Sequence, residues 1–220
     1  MEHTLTLEID GGEPLSDASV KAVGELCDRA EDRSGSGVVT VYVTGAPVGA
    51  WTSSLDVMLV SKWERALRRL ECLPVATIAV ADGDCGGTAL DAFLAADIRV
   101  AILGTRLLIP RDGSSATWPG MAGYRLVQLA GAARIRRAVL FGLPIEAPDA
   151  LALGIADELV GDPAQAVAAA AGLVSGLSGK QLAIQRRLLF DATSTSFEDA
   201  LGPHLAACDR ALRIAAGEAS

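Results

Sequence analysis

Two hydrophobic periods alternate along this chain. Leu5 to Ile9 is apolar at every second residue and predicts a first strand. Asp10-Gly-Gly-Glu-Pro-Leu-Ser turns the chain, and a helix is expected from near Ser16, with Val20, Val23 and Leu26 at helical spacing. Ser34-Gly-Ser-Gly37 breaks that helix. Val38 to Val43 is a short β-branched strand, and residues 45–54 read as a loop. A helix over Leu55 to Leu73 puts Leu59, Trp63, Leu67 and Leu70 on one face. The apolar run Val75 to Ala81 is a strand that enters a glycine turn at Gly83, Gly86 and Gly87, and a helix follows from Thr88 to near Ala95.

The same alternation continues downstream. Ile98 to Ala101 and Arg106 to Ile109 are short strands, and Arg111 to Gly120 is a polar loop. Helices are expected over Met121 to Ala130 and Ala132 to Phe141, then a helical turn from Asp149 to Leu153 ended by Gly154, and a last strand from Ile155 to Val160. Asp162-Pro163 with Gln165, and Ser178 with Gln181, are helix starts, and Phe197 to Ala216 is a final helix. Strands alternate with helices up to Val160, which means an α/β domain with mainly parallel pairing. Residues 161–220 form a helical C-terminal region, either part of that domain or an oligomerisation element.

Composition narrows the function. A chain of 220 residues, half of them hydrophobic, can bury one substantial core. No apolar run reaches the roughly 18 residues that a membrane span needs, and the acidic, alternating start reads as a strand rather than a leader. A net charge of -8 argues against nucleic acid as the main partner. Arginines cluster at Arg65, Arg68 and Arg69 and at Arg134, Arg136 and Arg137, as solvated helix faces or as contacts for an anionic cofactor. Cys27, Cys72, Cys85 and Cys208 are scattered, which fits free or buried thiols in a reducing, cytoplasmic setting. The two histidines, His3 and His204, sit near opposite ends and outside any metal-ligand spacing, so no metal site is expected and a Ser-His-Asp hydrolase is disfavoured.

The richest chemistry lies at the glycine turn. A helix starting at Thr88 points its first free N–H groups into the turn, and Gly86 and Gly87 let a ligand approach the backbone closely. Such a site suits a phosphate, a carboxylate or an oxygen that turns negative during a reaction. The G-x-G-x-x-G pattern of dinucleotide sites is absent. Thr88-Ala-Leu-Asp91 is also a capping-box pattern, so Asp91 has a structural reading beside a chemical one. Asp97 reads as a tie between the helix end and neighbouring backbone, and Asp56 as a helix cap. Trp51 and Trp118 read as core or pocket wall.

Taken together these residues resemble the crotonase family, the enoyl-CoA hydratase/isomerase superfamily. Gly83, Gly87, Asp91 and Asp97 fall at the spacings of its glycine turn, helix acid and following Asp. Pro119-Gly-Met-Ala-Gly-Tyr-Arg-Leu resembles its P-G-x-G-G-x-x-R-L segment, offset by one residue at the proline. Ala138 to Ala147 and Gly154 to Val160 resemble its later motifs, and Val41-Tyr-Val-Thr-Gly45 and Trp51-Thr-Ser-Ser-Leu-Asp56 its first strand and loop. The match spans Val38 to Val160.

The resemblance implies a ββα spiral core, a homo-oligomer (trimer or hexamer) and an acyl-CoA thioester substrate, with coenzyme A present only as part of that substrate. It implies an oxyanion hole from the backbone N–H groups of Ser53 and Thr88, Asp91 at the first catalytic carboxylate position, and Gly86, Gly87 and Trp51 beside the ligand. Where hydratases of the family carry a second glutamate, this chain has Arg111, which cannot act as a base. Asp112 is its neighbour. Arg111 reads as a structural ion-pair partner or as a stabiliser of an anionic substrate. Cys72 to Asp91, Arg106 to Gly113 and Ala116 to Met121 look most like the short crotonase-like proteins of dihydroxyphenylglycine biosynthesis in glycopeptide-antibiotic producers. That likeness implies a dehydratase/isomerase assisting a type III polyketide synthase in forming 3,5-dihydroxyphenylacetyl-CoA, or a non-catalytic partner that binds and activates the synthase.

Overall fold

The computed structural model describes residues 5–33, 37–113, 116–174 and 179–217. Its centre is a parallel sheet in the order β1-β2-β3-β4-β7, made by β1 (Leu5–Asp10), β2 (Val38–Gly45), β3 (Ala76–Gly86), β4 (Ile98–Ile102) and β7 (Glu158–Val160). Each strand is followed by a crossover, so the alternation read from the sequence becomes an α/β sheet. A short antiparallel pair, β5 (Arg106–Leu108) with β6 (Ile145–Glu146), attaches where β5 runs beside the end of β3.

Helices α1 (Asp17–Asp32), α2 (Val57–Glu71) and α3 (Thr88–Leu94) belong to one core with that sheet. Ser16 caps α1 and Asp56 caps α2 through a 2.7 Å bond from the Leu59 N–H, which settles Asp56 as a structural acid. Trp63, Leu67 and Leu70 on α2 are fully buried, the face that the spacing predicts. The remaining helices are α4 (Ala122–Ala130), α5 (Ala132–Phe141), α6 (Ala147–Ala152), α7 (Pro163–Val174), α8 (Gly179–Asp191) and α9 (Phe197–Ala215). On the other face of the sheet, Ile78, Val80 and Val100 form a second small core with Ala170 of α7.

Three local expectations change. β3 does not stop at Ala81 but continues to Gly86, because Asp84, Cys85 and Gly86 pair with Arg106, Leu107 and Leu108. Trp51–Ser54, expected as loop, is a single 3-10 turn. The last strand starts at Glu158 rather than Ile155, since the Ile155 and Ala156 N–H groups close α6 onto the Ala150 carbonyl. Asp162 accepts from the Ala164 N–H at the start of α7, while the Ser178 cap lies outside the described residues. All four cysteines are free, with Cys27 and Cys85 buried. Among the described residues, no helix is long and apolar enough to cross a membrane, and no group of three or more acidic, histidine or cysteine side chains is placed to hold a metal.

Asp97 is the joint between the sheet and the C-terminal helices. Its Oδ2 accepts from the Thr77 backbone N–H and hydroxyl, both at 2.9 Å. The Arg186 guanidinium on α8 donates to both Asp97 oxygens, at 2.7 and 2.5 Å, and to the Leu73 and Val75 carbonyls. Asp97 is thereby a structural tie, as its position suggested. Arg186→Leu strands a partly buried carboxylate and two carbonyls. We expect it to lower unfolding free energy by about 3 kcal/mol, read as a lower urea midpoint, with α8 proteolysed first.

Candidate active site

Three segments meet above the end of β3. The first is the 46–56 stretch after β2, the second is the turn from β3 into α3, and the third is the paired segments 110–113 and 116–120. Gly87 makes the second one possible. It has φ +57°, and a Cβ there would lie 2.6 Å from Pro47 Cγ and 3.6 Å from Trp118 Cε3. Glycine allows both the conformation and the contact. A Cβ on Gly86 would lie 2.9 Å from Ala46 Cβ and 3.2 Å from Pro110 Cγ. The first loop is tied to the paired segments by Thr52, whose hydroxyl donates to Asp112 Oδ2 at 2.5 Å. The pair is held by the Trp118 N–H on the Pro110 carbonyl and the Asp112 N–H on the Ala116 carbonyl, both 3.0 Å.

Thr88 is buried and opens α3 without a side-chain cap. The capping-box reading of Thr88 and Asp91 is therefore not what forms. The Asp91 N–H bonds to the Gly87 carbonyl, as α-helical backbone does, and the carboxylate turns inward. Ser53 lies in the 3-10 turn with its hydroxyl on the Ala50 carbonyl at 3.1 Å.

Asp91 is completely buried. Its Oδ2 accepts from the indole N–H of Trp118 at 2.8 Å and of Trp63 at 3.1 Å. Among the described residues its Oδ1 has no hydrogen-bond partner. Gly120 lies directly against it: a Cβ at residue 120 would stand 2.3 Å from Asp91 Oδ2 and 2.6 Å from Trp118 Nε1. Burial pushes the Asp91 carboxyl up to about 7, helped by the charge of Glu64 and opposed by the Trp118 bond, the Arg125 charge and the Trp63 bond. Glu64 itself is balanced by Arg125, which reaches it at 2.9 Å and Glu71 at 2.6 Å. Burial disfavours the Arg125 charge, but the two glutamates outweigh it and hold its pKa up.

Trp118 also lines a cavity of about 240 Å³, together with Trp51, Leu55, Pro47, Leu15 and Glu13. The two tryptophan rings are 5.3 Å apart and tilted at 59°. Both are pocket wall and both are nearly buried, so the two bland readings of these residues merge. Arg111 is elsewhere. Its guanidinium donates to the Leu140 carbonyl and, at 3.4 Å, to that of Val139, and its stem lies across Gly142. It caps the C-terminus of α5, where a cation is favoured, instead of pairing with an acid. Asp112 is engaged by Thr52 and the Ala116 N–H. His204 is on α9 beside Cys208, 3.5 Å away, and His3 lies outside the described residues.

Sequence reasoning missed Trp63, Glu64, Gly120 and the charge-balancing role of Arg125. A signal for the first exists: a tryptophan on a buried helix face still needs an acceptor for its indole N–H. The raised Asp91 carboxyl has a direct consequence for stability. Its folded pKa exceeds the unfolded value of 3.8, so the folded state holds more protons between the two. Stability contributed by the neutral acid is therefore lost as pH rises from about 4 to about 7. At about 1.4 kcal/mol for each pH unit the loss reaches about 4 kcal/mol. Asp91→Asn flattens that slope, as measured by urea unfolding across this range.

No family profile matches the chain. A curated relative named as an enoyl-CoA hydratase, from Amycolatopsis orientalis, is 57% identical over 213 residues, covering 97% of this chain and 98% of its own length. An enoyl-CoA hydratase of Shewanella pealeana superposes with a TM-score of 0.82 at 16% identity, over 96% of this chain and 85% of that one. An enoyl-CoA hydratase of Bacillus anthracis gives 0.80 at 16% identity, over 95% and 87%. The two structures establish the shared fold, a parallel-dominated sheet with flanking helices. The Amycolatopsis relative, more than half identical from end to end, carries the assignment further: this chain belongs to the enoyl-CoA hydratase/isomerase, or crotonase, family.

Proposed function

We propose that the chain acts on an acyl-CoA thioester as a crotonase-type dehydratase/isomerase. The observation that carries this reading is a fully buried carboxylate, one turn beyond the start of α3, held on one oxygen by two indole donors, and burial raises it to about 7. A group that titrates near neutral pH can both take and return a proton. The backbone N–H groups of Ser53 and Thr88 hold the thioester oxygen, with Gly86, Gly87 and Trp51 beside it. In a β-hydroxyacyl thioester, ionised Asp91 removes the α-proton and the enolate charge falls on the held oxygen. The enolate then forms the α,β double bond, the β-carbon–oxygen bond breaks, and Asp91 returns the same proton to the hydroxyl as it leaves as water. Asp91 ends as it began. One carboxylate serves both halves, which suits a chain with Arg111 in place of the second glutamate.

The name of the Amycolatopsis relative supports the acyl-CoA part of this reading. The sequence likeness to proteins of dihydroxyphenylglycine biosynthesis supports the finer part: a role beside a type III polyketide synthase, assisting formation of 3,5-dihydroxyphenylacetyl-CoA. Apolar side chains left exposed on α8 and α9, among them Leu189, Phe197, Leu205 and Leu212, support the expected homo-oligomer. A second reading, a non-catalytic partner that binds and activates the synthase, is favoured by one observation, the complete burial of Asp91.

Two variants separate these readings. Thr88→Pro deletes one proposed donor at a helix position where proline is tolerated. Losing an oxyanion donor costs about 2.7–4 kcal/mol of transition-state stabilisation, so turnover of isolated β-hydroxyacyl-CoA falls by about 10² to 10³. Asp91→Asn abolishes the same turnover. If both variants still support full product formation in the presence of the synthase, and the wild type never acts on isolated intermediate, the partner reading replaces the catalytic one.

A further inference from the structure

The cavity walled by Trp51 and Trp118 is apolar but for one residue. Among the described residues Glu13 is the one charged member of its lining, and the others, such as Pro14, Pro47 and Leu15, are apolar or glycine. Glu13 is exposed, and among the described residues no hydrogen bond or ion pair engages its side chain. The backbone fixes its place. The Gly11 N–H donates to the Thr44 carbonyl at 2.7 Å, the Gly12 N–H to Asp10 Oδ1 at 2.8 Å, and the Glu13 N–H to the Asp10 carbonyl at 3.2 Å. A Cβ on Gly11 would collide with the carbonyl oxygens of Gly86 and Gly45, so this turn lies directly on the turn that leads into α3. Two residues span at most about 7 Å, which holds Glu13 close to that glycine turn as well as on the rim of the cavity.

We propose that Glu13 is a specificity residue, whose carboxylate accepts a hydrogen bond from a ring hydroxyl of an acyl group seated against Trp51 and Trp118. An ionised carboxylate only accepts, so the group it reads is a donor. It also repels the phosphates of coenzyme A, which makes Glu13 unsuited to the coenzyme half of the ligand and suited to a neutral donor on the acyl half. A cavity of about 150 Å³ already admits benzene. This one, at about 240 Å³, has room for a single ring with substituents. Indoles hold such a ring through offset and edge-to-face contacts that an aliphatic chain does not make. The contact needs no rearrangement of the protein, because Glu13 already stands in solvent at the rim.

This inference rests on the acyl-CoA reading and narrows it to hydroxylated rings, and the test keeps the two apart. Calorimetry measures the affinity of the full chain for phenylacetyl-CoA and 3-hydroxyphenylacetyl-CoA, which differ by one hydroxyl, and for crotonyl-CoA. Wild type, Glu13→Ala and Glu13→Gln are compared. Removing the Glu13 charge strengthens binding of all these anionic ligands alike, so the readout is the ratio of the two ring ligands within each protein. Wild type is expected to prefer the hydroxylated ring by about tenfold, the effect of a hydrogen bond to a charged group. Glu13→Ala brings the ratio to about one, and Glu13→Gln, which keeps a carbonyl acceptor, retains part of it. Substitution at an exposed rim position leaves folding intact, checked by an unchanged urea midpoint. A wild-type ratio near one, or a preference that survives in Glu13→Ala, overturns Glu13 as the reader and leaves the acyl-CoA reading standing. Binding of crotonyl-CoA with neither ring ligand does the same. Binding of none of the three overturns both.

Discussion

One carboxylate, held between two indoles, organises the functional end of this fold. Asp91 Oδ2 collects the Trp63 donor from α2 and the Trp118 donor from the 116–120 segment, while Asp91 itself rides on α3. Three segments distant in sequence are fixed by a single oxygen. The close approach of Gly120 adds a steric condition, because no larger side chain fits over the carboxylate. An unpaired charge in such a place is costly, and the molecule answers by letting the group hold a proton near neutral pH. Hydrogen-bond donors pull the other way. The outcome, a carboxyl that titrates near 7, is a balance in which burial outweighs two indoles and an arginine.

The surrounding charges fit that balance. Arg125 sits between Glu64 and Glu71, both partly buried, and joins α4 to α2. The Met121 N–H at the start of α4 also donates to Glu64, at 2.6 Å. With both glutamates engaged, the negative field at Asp91 is moderated rather than removed. Farther along, Asp97 does for the opposite end of α3 what Asp91 does for its start. It binds the first residues of β3 and the Arg186 side chain, so α8 is drawn onto the sheet. The two acids lie six residues apart in sequence, Asp91 on α3 and Asp97 in the turn between α3 and β4. One is spent wholly on architecture and the other is poised to titrate.

The sequence conveyed the architecture well because the relevant signals are local. Strand and helix periods differ, and Ser16, Asp56 and Asp162 mark helix starts through their own side chains. The parallel sheet follows from strands that alternate with helices. The extension of β3 to Gly86 was not legible, because it depends on pairing with Arg106 to Leu108, twenty residues on. The site was half legible. Spacing picked out Thr88 and Asp91, but a helix acid near an N-terminus has a local role by default, and nothing in the run Thr88 to Asp91 says the carboxylate faces inward. That orientation comes from Trp63 and Trp118, donors 28 and 27 residues away. Arg111 was ambiguous for the same reason. Its partners are carbonyls at the end of α5, groups that carry no mark in a sequence.

A buried acid and an oxyanion hole place opposite demands on a site. Donors such as the N–H groups at a helix start work best when water is excluded and the field is fixed before the reaction begins. A carboxylate in the same dry setting holds its proton to higher pH, as burial makes Asp91 do, so less of it is ionised, although the ionised form is the stronger base. Families that use two carboxylates divide the work between them. On the proposed reading, with Arg111 committed to α5 and Asp112 to the first loop, Asp91 would have to supply both states. That is workable only if its pKa lies near the working pH, so that ionised and neutral forms are both populated. The burial that destabilises the folded chain above neutral pH is then the same property that suits the group to move a proton twice. On the proposed reading stability and chemistry at this position have one electrostatic origin, and a substitution that relieves the first would remove the second.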